Sequence, residues 1–131
     1  NAYTAGGLMS ELIEFLKPDF SFSDERGGLV QLVHDGWKQV NVSQTKAGVK
    51  RGGHYHKQTR EAFFVVSGEV RLTLSKGGKT EQVTVKTGDF FCFPPYVAHS
   101  FDFTADTTLV ALYDKGVELP DGTKDIFPEG E

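Results

Sequence analysis

Between Leu29 and Tyr113 the chain is a succession of short apolar runs rich in Val, Phe and Thr. Glycine or a polar turn breaks them about every eight to twelve residues, a punctuation that calls for an all-β sandwich or barrel. Side chains in a strand point alternately to opposite faces, so a run that alternates apolar with polar residues buries one face and wets the other. The expected strands are 29–33, 39–44, 53–56, 62–67, 70–74, 81–85, 90–93, 98–103 and 107–113, and Lys76-Gly77-Gly78-Lys79 reads as a hairpin turn. Ahead of them, Leu8, Met9, Leu12, Ile13 and Leu16 recur at spacings of three and four, which predicts a short amphipathic helix over 8–16 that Pro18 helps to stop. Residues 1–7 read as a tag or loose tail and 8–131 as a single domain, with a polar end broken by Pro120, Gly122, Pro128 and Gly130.

A chain of 131 residues suits one domain with one core. Its 18 acidic and 14 basic residues give a net charge of −4, without a basic run or basic-aromatic interleaving, which argues against a nucleic-acid partner. No apolar stretch is long enough to span a bilayer, and residues 1–7 carry no signal-peptide pattern, so no membrane partner and a cytoplasmic location are expected. The single Cys92, between Phe91 and Phe93, reads as a small buried hydrophobe.

The chemistry concentrates in the stretch from Gly48 to Gly68. His54 and His56 are two apart, so in a strand they share a face while Tyr55 points the other way. A neighbouring strand starting at Glu61 brings a carboxylate to the same point, and His99 supplies a third imidazole. Three neutral nitrogens and one carboxylate suit one divalent metal ion, with zinc, iron, manganese, nickel and cobalt all compatible. His34, in the turn His34-Asp35-Gly36-Trp37, reads as a surface residue.

These residues carry a family resemblance. Gly48, five residues, His54, one, His56, four, Glu61, six, Gly68 resembles the first cupin motif at every defined position. Gly88, five residues, Pro94, one, Tyr96, two, His99, three, Phe103 resembles the second, with Tyr96 where the family has Gly and Phe103 where it has Asn. The resemblance implies a single-domain cupin, a double-stranded β-helix or jelly-roll barrel, with His54, His56, Glu61 and His99 as metal ligands. Asp24-Glu25-Arg26-Gly27, Arg51-Gly52-Gly53-His54 and the closing Lys124-Asp125-Ile126-Phe127-Pro128 are similar to cupins acting on nucleotide-linked 4-keto-6-deoxy sugars. Within that group the chain looks most like the metal-carrying C-terminal cupin domain of the capsular UDP-sugar epimerase/reductase, and it also resembles the WxcM-like dTDP-sugar 3,4-ketoisomerases.

Such a resemblance implies an epimerase or ketoisomerase that removes a proton beside a carbonyl and stabilises the resulting enediolate. His54 is then both a ligand and the position associated with proton abstraction, and a metal-bound imidazole cannot act as a base while bound. Tyr55, Tyr96, Tyr113 and a metal-bound hydroxide are then the candidates to move the proton; Tyr96 ranks first, being three residues before His99, and Tyr55 last. Gln39, Asn41, Ser43 and Thr45 alternate with Val40, Val42 and Gln44, so one face of that strand offers sugar-binding groups. Arg26 and Arg51 are expected to clamp a diphosphate. A metal-dependent oxygenase or other small-molecule isomerase is the second expectation, with Phe63, Phe91, Phe93, Phe101 and Phe103 available for an apolar pocket, and a non-catalytic ligand-binding cupin is the third. A homodimer that hides a sheet edge is expected.

Overall fold

The computed structural model of the chain describes residues 10–130. They form twelve strands and no helix: β1 Glu14–Phe15, β2 Phe20–Asp24, β3 Gly27–Gln31, β4 Gln39–Thr45, β5 Lys50–Tyr55, β6 Glu61–Ser67, β7 Glu69–Lys76, β8 Lys79–Lys86, β9 Phe90–Phe93, β10 Ala98–Phe103, β11 Thr107–Tyr113 and β12 Phe127–Pro128. Two five-stranded sheets, ordered β1-β9-β6-β11-β4 and β12-β5-β10-β7-β8, enclose the core, and β2 pairs only with β3. This is the jelly roll of a cupin. Because no helix is present among these residues, none is long and apolar enough to cross a membrane.

The expected helix does not form over residues 10–16, while its first two residues lie outside the described chain. Leu12 and Ile13 are buried in the core, but Glu14 and Phe15 extend and pair with Cys92 and Phe91. An open strand edge at β9 offers the backbone a ladder, and that outweighs the helical spacing of a few apolar residues. The hairpin between β7 and β8 forms as expected, with Gly77 and Gly78 both at positive φ (58° and 81°), as a two-residue turn of the favoured hand requires.

Phe63, Val65, Phe91, Phe93 and Leu109 from one sheet meet Val70, Leu72, Val83, Phe101 and Phe103 from the other. A smaller layer, in which Leu16, Leu32, Val33 and Trp37 cover Ala62, Phe90, Cys92 and Leu112, seals the outer face of the first sheet. Cys92 is buried there beside Arg60.

One irregularity places the functional residues. Along the β5–β10 ladder His99 faces His54 and Ser100 faces Gly52, so Gly53 is an extra residue and β5 carries a bulge. Gly52 there sits at φ 95°, and a Cβ on it would come within 2.6 Å of the His99 carbonyl oxygen and 3.1 Å of the Ser100 Cα. Gly52→Ala is therefore expected to cost about 2–4 kcal/mol through strain and overpacking, read as a lower midpoint in urea unfolding. Gly77→Ala, in the open hairpin turn, is expected to cost about 1 kcal/mol.

Candidate metal centre

His54 is the last but one residue of β5, His56 directly follows that strand, Glu61 opens β6 and His99 is the second residue of β10, so three strands and one turn bring four side chains together. One ligating atom from each of them lies within 4.8 Å of all the others. His56, Glu61 and His99 are buried and His54 is half-buried.

The hydrogen bonds settle how two of the rings are oriented. His56 Nδ1 lies 2.5 Å from the Asp125 carbonyl and His99 Nδ1 lies 3.1 Å from the Val97 carbonyl. A carbonyl only accepts, so each Nδ1 carries a proton and each neutral ring turns its Nε2 lone pair inward. Both lone pairs face the same oxygen: His56 Nε2 is 3.0 Å and His99 Nε2 3.1 Å from Glu61 Oε1. The second approach does not make a hydrogen bond, which leaves His99 Nε2 buried without a hydrogen-bond partner among the described residues. Three acceptor atoms facing one another in a buried space call for a cation among them. A divalent ion fits this donor set, with the two Nδ1 to carbonyl bonds as the outer-shell contacts such rings make.

The titration behaviour follows from the same contacts. Burial works against charge on His56, but the hydrogen bond that a protonated Nε2 donates to Glu61, with the charge of Glu61, more than offsets it, so its pKa is raised. Burial likewise pushes Glu61 up, yet His56 and His99 hold it well below the usual carboxylate range. His54 is pushed down to about 4, by burial first and by neighbouring His99 next, so it is neutral at physiological pH. Tyr113 lies opposite Glu61 in the β11–β6 ladder; burial first and the Glu61 charge next push its pKa up, so the phenol stays protonated.

A cavity of about 140 Å³ opens beside this cluster. Ser43, Arg51, His54, Glu61 and His99 form its polar side, and Phe63, Phe101, Phe103 and Leu109 its apolar side. Phe93 stacks on His99 with ring centres 4.6 Å apart, so an aromatic on the core side packs directly against a ligand.

The other expected site residues are distributed differently. Arg51 reaches the cavity and hydrogen-bonds Thr45 Oγ1 through Nε at 2.9 Å. On β4 only Ser43 lines the cavity: the Asn41 Oδ1 accepts from Gln39 Nε2 at 3.4 Å, and the Gln39 Oε1 accepts from the Val117 amide at 3.1 Å. Arg26 sits at the tip of the β2–β3 hairpin, ion-paired with Asp24 at 2.6 Å, and does not line this cavity. Tyr96 is not brought to the ligands either. It takes φ 71° in the turn before β10, its amide donates to the His56 carbonyl at 2.7 Å, and its ring is half exposed and stacked on Tyr55. Tyr55 points away from His54 and His56, so Tyr96 lies on the far side of β5. The pairing of Tyr113 with Glu61 and the link from Asp125 to His56 had no signal in the local spacing because each depends on strand pairing or on the path of the last segment.

Fold and ligand set together define a cupin with a metal-type pocket. A family model, the polysaccharide biosynthesis C-terminal domain, matches residues 22–115, and the chain belongs to that family. It is also similar to the 3-hydroxyanthranilate 3,4-dioxygenase of Burkholderia cenocepacia, at 35% identity over 81 residues, 61% of this chain and 45% of that one. The chain spans less than half the length of the curated relatives it matches. Among solved structures, a sugar 3,4-ketoisomerase from Thermoanaerobacterium thermosaccharolyticum in complex with TDP superposes with a TM-score of 0.74 at 16% identity, covering 91% of this chain and 89% of that one. The TDP-quinovose 3,4-ketoisomerase from Campylobacter jejuni gives a TM-score of 0.74 at 18% identity, covering 88% and 94%. At these identities the likeness establishes the fold.

Metal-free protein titrated with zinc or ferrous iron is expected to bind one ion per chain and to gain about 2.7 kcal/mol at a hundredfold excess over Kd. His99→Ala is expected to abolish the gain. Elemental analysis and a thermal-shift titration check both.

Proposed function

We propose that the chain is an epimerase or ketoisomerase acting on a nucleotide-linked 4-keto-6-deoxy sugar. The observation that carries the reading is the cavity's polar side, where neutral His54, a candidate proton acceptor, shares one small space with Arg51, Ser43 and the ligand cluster. The proteins of like fold described as sugar 3,4-ketoisomerases, and the family's place in polysaccharide biosynthesis, support it.

A carbonyl at C4 acidifies the proton at C3, and His54 takes that proton from the cavity side. A bound divalent ion would supply positive charge to the oxyanion side of the substrate. Arg51, oriented by Thr45, offers N–H donors to an oxygen of the sugar or of its phosphate. Tyr113, the strand partner of Glu61, stays protonated beside the carboxylate. Return of the proton to the opposite face of C3 gives an epimer, and its delivery to C4 moves the carbonyl to C3. Both outcomes share one enediolate.

A second reading is a metal-dependent dioxygenase, favoured by the likeness to the Burkholderia protein and by the apolar side of the cavity. The two separate in one set of measurements. His54→Asn is expected to keep the ion on His56, Glu61 and His99 while exchange of the C3 proton with deuterated water falls at least about a hundredfold. Tyr96→Phe is expected to leave that exchange within about twofold, as suits a ring on the far side of β5. Oxygen uptake by the iron-loaded protein, without any such exchange, would favour the dioxygenase instead.

We also infer a homodimer. Val40 and Val42 are exposed on edge strand β4, and Phe20, Phe22 and Leu29 are exposed on one face of the β2–β3 hairpin. Apolar side chains on an unpaired edge favour burial against a second copy. Light scattering is expected to give twice the 14.4 kDa chain mass, and Phe22→Glu with Val42→Lys to give the monomer.

A further inference from the structure

We propose that Asp125 is a positioning residue for the metal centre, a clamp that holds the turn between two ligands in the form that lets both face one ion. The inference rests on the reading of the cluster as a divalent-ion site. His56 and Glu61 are separated by Lys57, Gln58, Thr59 and Arg60, a turn whose amides have no strand to pair with. Three consecutive amides point at one buried carboxylate instead: Lys57 N lies 2.8 Å from Asp125 Oδ1, and Gln58 N and Thr59 N lie 2.9 and 2.8 Å from Oδ2. Only one residue along, the Asp125 carbonyl receives the His56 Nδ1 proton. A single residue therefore holds the ring of one ligand and the backbone that leads to the next.

The geometry selects a carboxylate. An aspartate accepts at both oxygens, whereas an asparagine turns an NH₂ toward at least one of the amides and leaves two donors facing each other in a buried space. The clamp is itself anchored from three directions. The Asp125 amide donates to the Val117 carbonyl at 2.7 Å, the Thr59 hydroxyl donates to the Gly116 carbonyl at 3.0 Å, and β12 pairs Phe127 with Tyr55 and Pro128 with His54. Residues 125–128, beyond the 22–115 stretch matched to the family, thus hold both the His54 end of the ligand-bearing run and the turn that leads to Glu61.

The test compares Asp125→Asn with Val83→Ala, a core truncation on β8 chosen to lower stability by a similar amount without touching the centre. Zinc affinity by competition with a chelator, the visible spectrum of the cobalt(II)-loaded protein and amide exchange at residues 57–59 of the metal-free protein are measured for each. Asp125→Asn is expected to weaken zinc binding about ten- to a hundredfold, to change the cobalt spectrum and to speed exchange at 57–59, with Val83→Ala matching the parent in all three. Parental affinity and spectrum in Asp125→Asn, or an equal loss in Val83→Ala, would overturn the clamp. Should Asp125→Asn not fold, Thr59→Val decides: a severalfold weaker affinity supports the clamp and an unchanged one refutes it. A parent chain that binds no divalent ion would instead overturn the metal reading on which the clamp rests.

Discussion

Two imidazole nitrogens and one carboxylate oxygen meet in a space from which water is largely excluded, and the surrounding structure is organised around keeping them there. His56 Nε2 and His99 Nε2 lie 3.0 and 3.1 Å from the same Glu61 oxygen, with both Nδ1 protons already committed to backbone carbonyls. Left without a cation, such an arrangement sets acceptor against acceptor and carries the full desolvation cost of a buried carboxylate, several kcal/mol. A proton shared with one ring relieves part of this, as the raised pKa of His56 shows. A divalent ion relieves all of it, because it satisfies every lone pair at once.

Holding the three atoms in place falls to backbone features outside the regular ladders. The bulge at Gly52 and Gly53 sets His54 opposite His99, and the carbonyl of His99 passes so close to Gly52 that no side chain fits there. The turn before β10 orients two ligands together: the Tyr96 amide reaches the carbonyl of His56, and the Val97 carbonyl takes the ring proton of His99. Tyr96 accepts a left-handed backbone conformation to do so, at a cost of about 1–2 kcal/mol for a residue with a Cβ. Its ring then stacks on the outward Tyr55, which in turn stacks on Phe127 at 5.6 Å. The contribution of Tyr96 to the centre is thus made by its backbone, and its side chain looks the other way.

The parts of this that were legible in the sequence depend on short-range periodicity. The two-residue spacing of His54 and His56 puts them on one face of a strand whatever its partners are, and the alternation along β4 directs Ser43 inward. The strand series from 62 to 113 was readable for the same reason. What could not be read depends on partners distant in sequence. The helical spacing of Leu12, Ile13 and Leu16 is equally compatible with an extended segment that buries alternate contacts, and only the free edge of β9 decides in favour of β1. Tyr96 stands three residues before His99, yet its own positive φ turns its ring to the opposite face, and nothing in the spacing announces that turn. Arg26 looked like a phosphate ligand, but its geometry within one chain is that of a hairpin-tip ion pair with Asp24.

The double claim on His54, as ligand and as base, has a structural basis in how unequally the three histidines are held. His56 and His99 are each buried and tied through Nδ1 to a carbonyl, which sets the ring and directs Nε2 at Glu61. His54 is half-buried, faces the cavity, and among the described residues has no carbonyl holding it in that way. With Glu61, the two anchored rings make a compact nitrogen, nitrogen and oxygen set, which would offer an ion three ligands whether or not His54 joined them. Burial first and the neighbouring His99 next push its pKa down to about 4, so its lone pair is available at neutral pH. A ring with those properties can approach an ion or turn toward a substrate proton by rotating about its own side-chain bonds while the other three groups stay fixed. Anchoring therefore divides the cluster: the tied rings and the carboxylate are fixed in position, and the untied ring is the one free to turn toward the cavity, as the proposed function requires.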